Sequence, residues 1–351
     1  MLMKKLTSLL LMCIFAFTAN AQVYVKPAAE GGADTNDGNS WATAKATVAG
    51  AIAVVQQSAK KEIWVKKGTY GEVWGTALNL ANVGGVSIYG GFNGDETTVE
   101  ARVKGTNPWD YTNETVMTFT NETGFSIQMN NNLNADNPFV IDGFSFKNMN
   151  NKTAGSIQLR AYATMQNCII SDNQLTTGFL NSYAGAAGTV AYRNCLISNN
   201  TITGNNVLTH NTNHAELVGI VDGCVFANNT STSHQIINFA GKGSVSVTNS
   251  KFYNNNAAGN ILNMGAAIRN EVVNCLIYNN EATAMASMAG AGEVTIINST
   301  IVNNKGKAAN GGVSLVSVNA KVYNTIVRGR ADALNNLLLY MYFSYCYLIE
   351  Y

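Results

Sequence analysis

One segment of eleven residues, 245–255 (VSVTNSKFYNN), returns seven more times at nearly constant spacing, and this recurrence constrains the fold more than any other property of the chain. With Asn249 as the reference position, its equivalents are Gly143, Asn167, Asn194, Gly223, Asn274, Asn298 and Asn324, separated by 24 to 29 residues. A repeat of that length is one supersecondary unit that cannot bury its apolar face alone, so neighbouring repeats must stack. Two residues before the reference stand Ile141, Met165, Tyr192, Val221, Val247, Val272, Ile296 and Val322. Three residues after it stand Phe146, Ile170, Ile197, Phe226, Phe252, Ile277, Ile301 and Val327, and neither column contains a polar exception.

The position just after the reference holds small side chains: Cys168, Cys195, Cys224, Ser250, Cys275, Ser299 and Thr325. The position just before it is mixed, with Asp142, Gln166, Arg193, Asp222 and Thr248. This alternation is that of strands with one face inward and one outward. Asn and Gly adopt a left-handed backbone at the least cost, so the reference position predicts a sharp bend between two short strands. Stacked Asn can also hydrogen-bond from coil to coil. A third strand is expected after the variable loop, at residues 156–160, 207–210, 235–239, 260–264 and 313–318. The resulting expectation is an all-β chain: a single-stranded right-handed parallel β-helix, a solenoid of about eleven coils.

On these repeats the chain resembles the right-handed parallel β-helix (pectate-lyase-like) superfamily. The recurring Phe226-Ala-Asn-Asn229 and Phe252-Tyr-Asn-Asn255 resemble the F-x-x-N repeats of chlamydial polymorphic outer-membrane proteins. The resemblance spans roughly residues 23–330 by repeat-length logic. It implies architecture far more than activity, because lyases, hydrolases, adhesins and stalks share this fold. Residues 62–70 (EIWVKKGTY) and 86–92 (VSIYGGF) read as the first two coils. With Asp95-Glu96-Thr97 they resemble the first coils of secreted Bacteroidetes β-helix proteins. Residues 43–57 read as a helix with Ala46, Ala49, Ile52 and Ala53 on one face; in the superfamily such a helix covers the open apolar end, an N-terminal cap.

The organisation expected is a signal peptide (1–21), an N-terminal strand and capping helix (22–61), the β-helix (62–330) and an atypical apolar tail (331–351). Residues 1–21 carry Lys4 and Lys5, a short apolar run and Ala19-Asn20-Ala21, the pattern of a secretory signal that directs the chain outside the cell or to its surface. Removing those lysines leaves 20 basic against 21 acidic residues, a balance that gives no electrostatic reason to bind nucleic acid. No stretch is long enough for a transmembrane span. Residues 337–351 (LLLYMYFSYCYLIEY) read either as a last coil with its cap or as a tail from a shifted reading frame, and an open end there would favour self-association.

Chemistry is sparse. Polysaccharide lyases of the superfamily use calcium-binding carboxylates and a basic residue on one outer face, and glycoside hydrolases use convergent carboxylates. The outward residues expected on the third strand, Gln158, Arg160, Thr209, Asn238, Asn263, Ser287 and Ser314, form no charged pair. The strongest charged column is Asp142, Gln166, Arg193, Asp222, read as a surface ladder in which Arg193 meets Asp222 and the two aspartates stand about 14 Å apart. His210, His214 and His234 fall in or beside neighbouring loops and could approach one another on one edge. Asp34-Thr-Asn-Asp37-Gly38 has the look of a calcium loop with its glycine one place early, and reads better as an Asx-rich turn. No catalytic residue, resident metal or cofactor is assigned, with calcium the one ion these turns could take. The expected role is a secreted or cell-surface structural, adhesive or glycan-binding protein whose partner is an extracellular glycan or surface protein. Binding candidates are Arg160, Asn238, Asn263, Arg193 and Asp222. The alternative is a polysaccharide lyase or glycoside hydrolase acting on an extracellular polysaccharide.

Overall fold

The computed structural model describes residues 22–72, 78–79, 85–119, 125–128, 134–152, 155–184, 186–288, 292–307, 313–315, 320–329, 342–344 and 347–350; the expected signal peptide lies outside them. Short strands wind in successive turns and pair in parallel with the turns before and after, forming four sheets that run along one axis. Among the described residues sheet I has 12 strands, from Gln22–Val25 to Tyr342–Ser344, and sheet II has 11, from Gly68–Glu72 to Tyr347–Glu350. Sheet III has seven, from Asn150–Lys152 to Lys305–Gly306, and sheet IV has nine, from Leu78–Asn79 to Val313–Leu315. The chain is a parallel β-solenoid.

One turn shows the plan: Leu217–Asp222 in sheet I, Val225–Ala227 in sheet II, Thr230–Ser231 in sheet III and Ile237–Gly241 in sheet IV. Four strands per turn replace the three expected. The extra one spans two or three residues, too few for alternation to reveal it. Among the described residues seven consecutive turns carry all four strands, fewer regular coils than the expected eleven, and sheets I and II extend beyond them at both ends.

The reference residues bend as their identity requires. Asn167, Asn194, Asn249, Asn274, Asn298 and Asn324 have φ of 44° to 55°, and Gly143 and Gly223 have φ of 80° and 64°. The two glycines have a second reason. A β-carbon at Gly143 would stand 2.9 Å from the Tyr111 ring, and one at Gly223 would stand 2.4 Å from Asn194 Oδ1. Five residues on, a second left-handed bend joins sheets II and III at Asn148, Asp172, Asn199, Asn228, Asn254, Asn279 and Asn303, with φ of 55° to 59°.

The next residue turns inward and builds a ladder. Asn200 Nδ2 donates to Asn229 Oδ1 at 2.9 Å, Asn229 to Asn255 at 3.0 Å, Asn255 to Asn280 at 2.9 Å and Asn280 to Asn304 at 3.0 Å. Each Oδ1 also accepts the backbone N–H of the preceding ladder residue, as Asn255 Oδ1 does from Asn229 N at 3.0 Å. Each Nδ2 also reaches a carbonyl of the previous coil, as Asn229 does to Ile197 O at 2.8 Å. All four hydrogen-bonding capacities of the amide are used, which allows Asn200, Asn229, Asn255 and Asn280 to be buried.

The two apolar columns fill the interior as expected, with Val327 partly buried at the margin. Cys168, Cys195, Cys224 and Cys275 are buried free thiols. In the same column Ser250 Oγ and Ser299 Oγ accept the N–H of Cys224 and Cys275 at 3.1 and 3.2 Å, which explains why thiol and hydroxyl exchange there.

The helix is shorter than the sequence suggested, Val48–Gln56, capped by Thr47 whose side chain accepts from Gly50 N. Its buried face is Val48, Ala51, Ile52 and Val55, packed with Val23, Val25, Ile63 and Val65; Ala49 and Ala53 face solvent. Residues 38–45 are not helical because they cover the free edge of the first strand. Tyr24 N donates to Gly38 O at 3.0 Å, and Lys45 N to Tyr24 O at 2.9 Å. At the other end, Tyr342–Ser344 and Tyr347–Glu350 pair in parallel with the strands Ala320–Tyr323 and Ile326–Gly329, so this part of the apolar segment joins the solenoid.

Asn229→Leu should destabilise the protein by at least about 3 kcal/mol, since it strands a buried amide, an N–H and a carbonyl on neighbouring coils. Asn249→Val, which only strains a bend, should cost about 1–2 kcal/mol. Denaturant unfolding of the two variants checks the order.

Candidate functional site

Sheet IV carries the expected polar row, and the register makes it continuous. Gln128, Gln158, Asn181, Thr209, Asn238, Asn263, Ser287 and Ser314 are direct partners from strand to strand. Gln128 and Asn181 were not among the expected members, though they fall in register. From Gln158 to Ser287 the side chains are half-buried, the state of outward residues on a flat sheet. Asn263 Nδ2 donates to Asn238 Oδ1 at 2.7 Å, and Asn206 Nδ2 to Thr209 Oγ1 at 3.0 Å. Two residues along, Asn211, Ala240 and Gly265 are register partners, so a low strip flanks the row in the last two of these strands. No side chain of the row is ionisable. It can exchange hydrogen bonds with hydroxyls, and it offers no acid, base or metal ligand.

Arg160 does not belong to this row. The strand Gly155–Leu159 ends before it, and its carbonyl accepts from Ala163 N at 3.1 Å in the turn toward sheet I. Arg193 and Asp222 stand side by side in sheet I as expected, with Nη1 to Oδ2 at 3.1 Å. Partial burial opposes ionisation of Asp222, but hydrogen bonds from Thr248 and Asn249 and the Arg193 charge outweigh it and hold the carboxyl below its ordinary range. The five binding candidates therefore split: Asn238 and Asn263 adjoin on sheet IV, Arg193 and Asp222 pair on sheet I, and Arg160 sits in a turn.

The surface ladder expected at Asp142 is overturned. Asp142 and Arg102 have side chains only 5% and 4% exposed and are ion-paired at 3.4 Å. Tyr111 Oη donates to Asp142 Oδ1 at 2.9 Å, Asn167 Nδ2 to the same oxygen at 3.1 Å, and Gln166 Nε2 to Oδ2 at 2.8 Å. Burial first, and then the Asp142 charge, push the Tyr111 phenol far above its ordinary range, so it stays a donor. Arg102 also donates to Gly90 O and Val99 O, both at 2.8 Å, and its guanidinium lies 4.8 Å from the Tyr111 ring centroid. The cause is a long excursion, residues 93–114, which leaves the second coil between its sheet I strand Ser87–Phe92 and its sheet II strand Thr115–Phe119 and folds back over the outer face of sheet I. Beside it a second apolar cluster, Tyr24, Ala44, Trp64 and Phe92, lies outside the solenoid.

The excursion borders a shallow groove of about 430 Å³ lined by Trp109, Asp110, Tyr111, Glu114, Ser145 and Ile169, among others. Its carboxylates are engaged. Asp110 Oδ2 accepts from Asn107 Nδ2 at 2.7 Å; Glu114 pairs with Lys147 and accepts from Ser145 Oγ at 2.6 Å. Partial burial works against ionisation of Glu114, and these bonds with the Lys147 charge overcome it. In the Asx-rich turn, Asp34 accepts from Ala46 N and Thr47 N, both at 3.0 Å, and Asp37 from Asn39 N at 2.9 Å.

The three histidines do not converge. His210 points into the core, whereas His214 accepts from Glu216 N and His234 shares a hydrogen bond with Ser233 at the surface. No group of three or more His, Cys, Asp or Glu among the described residues could hold a metal ion. No helix among them is long and apolar enough to cross a membrane.

No family model matches the chain, and no curated protein matches it. Similar solved structures include a rhamnogalacturonan lyase, at 14% identity and TM-score 0.48, covering 93% of this chain and 87% of the other. A pectate lyase has 16% identity and TM-score 0.49, covering 93% and 78%. The A-module of an Azotobacter vinelandii mannuronan C-5 epimerase has 14% identity and TM-score 0.47, covering 82% and 84%. What places this chain among parallel β-helix proteins is its own strand pairing.

Arg102→Leu should cost about 3–5 kcal/mol by leaving Asp142 buried and unpaired. The loss should begin in the excursion, so limited proteolysis should cut within residues 93–115 before the turns 217–302.

Proposed function

We propose that the protein is an exported, cell-surface or secreted β-helix that binds an extended, uncharged glycan along sheet IV. The observation that carries this reading is the in-register row from Gln158 to Ser287, amides and hydroxyls repeating once per coil. The coil repeat of about 4.8 Å is close to the length of one sugar unit in an extended chain, so successive sugars would meet equivalent donors and acceptors. Neutral groups suit this task, because a sugar hydroxyl both donates and accepts and gains nothing from a fixed charge. The low strip at Ala240 and Gly265 leaves room for ring edges beside the row. The absence of an ionisable side chain in the row favours holding over cutting.

Affinity electrophoresis in gels containing neutral or acidic polysaccharides tests the proposal. Asn238→Leu with Asn263→Leu should abolish retardation by a neutral glycan, whereas Arg193→Ala with Asp222→Ala should leave it intact. Equal retardation of all forms overturns the assignment to sheet IV. Chain cleavage by the wild type in the same gels would replace binding by catalysis.

A further inference from the structure

Inside sheet IV, register partners Ser182, His210, Phe239, Met264 and Met288 form one column of the core, and two of them are polar. His210 is 1% exposed. Its Nδ1 shares a hydrogen bond with Ser182 Oγ, and its ring meets Phe239 edge-on at 5.5 Å between centroids. Nε2 is buried without a hydrogen-bond partner. It points at Gly219 of sheet I, where a β-carbon would lie 2.5 Å away; the glycine leaves the space the ring fills. Across the same interior, the Tyr192 hydroxyl is also buried without a hydrogen-bond partner.

The other titratable groups of this stretch give His210 no counter-charge. Tyr192, Cys195 and Cys224 are fully buried, and burial pushes the Tyr192 phenol and the Cys195 thiol up, so both stay neutral. The charged neighbours Arg193 and Asp222 pair with each other on the partly exposed outer face, and Glu216 is exposed. A proton on Nε2 would therefore place a cation in an apolar interior, with no acceptor for the new N–H.

We propose that His210 makes the middle of this solenoid acid-labile, so that protonation of the ring opens the turns around residues 180–222 while the turns after residue 262 stay paired. Loss of solvent on burial holds the ring's pKa down to about 4, against about 6.5 for an exposed imidazole. The folded form thus refuses a proton that the opened form accepts. Stability is unaffected above pH 6.5, falls as pH drops from there toward 4, and levels off below. At pH 5 the ratio of closed to open forms should be about thirtyfold lower than at about pH 7.5 from this one group.

Hydrogen exchange followed by mass spectrometry, corrected for the intrinsic effect of pH, tests this at pH 7.5 and pH 5. In the wild type, peptides covering 180–184 and 208–212 should lose protection about thirtyfold, and 262–266 should not. His210→Met, which continues the run of Met264 and Met288, should hold the same protection at both values. A pH-independent wild type overturns the proposal, as does an equal loss in the variant. An imidazole titration by NMR on the wild type needs no variant: a native His210 ring that protonates above pH 6 also overturns it.

Discussion

Everything else in this solenoid depends on the amide ladder that runs from Asn173 to Asn304 and is saturated at Asn200, Asn229, Asn255 and Asn280. A buried primary amide is costly unless both N–H bonds and both acceptor sites are used, and here they are used only when adjacent coils sit in one register. A slip by one residue would bury an unmatched amide in every coil at once. The apolar columns on either side resist the same slip, since it would turn Ile, Val and Phe out to solvent. The ladder and the hydrophobic effect therefore select one register together. The left-handed residue immediately before each ladder residue, Asp172 or an Asn, aims it inward.

Where the repeat departs from its pattern, a particular contact explains it. Gly143 replaces Asn because Tyr111 and Arg102 close over that corner, and Gly223 does so because the Asn194 amide lies across it. The excursion within the second coil and the first strand's covering segment together bury Trp64, Phe92 and Asp142 on what would otherwise be solvent-facing positions. The amino-terminal third thus has a core on each side of sheet I, whereas the described residues of the later turns have only the interior one.

The architecture was legible in the sequence because each coil repeats the same side-chain demands. The two apolar columns, the bend at Asn249 and its equivalents, and the neutral row through Asn238 and Asn263 all follow from alternation counted from one marker. The two-residue strands of sheet III were invisible, since two residues cannot display a period. The burial of Asp142 was invisible for a different reason: it depends on a non-repeating segment folding back from 40 residues earlier in the chain, at Arg102. His210 is the instructive miss. Once Thr209 is taken as outward, alternation requires His210 to face inward, and reading it as a loop residue ignored a signal that was present. Arg160 was misplaced in the opposite sense, by extending a strand one residue beyond its end.

The geometry of the ladder also bears on mechanics. Its amide-to-amide bonds all point the same way along the axis while the coil-to-coil backbone bonds beside them run in both directions, and a pull along the axis loads the ladder and four sheets together at any one junction. A force that lifts a terminal coil sideways meets only that coil's bonds, and the next coil is then exposed to the same treatment. The molecule is thus built as a strut, stiff between its ends and resistant to stretching, whose weak mode is unspooling.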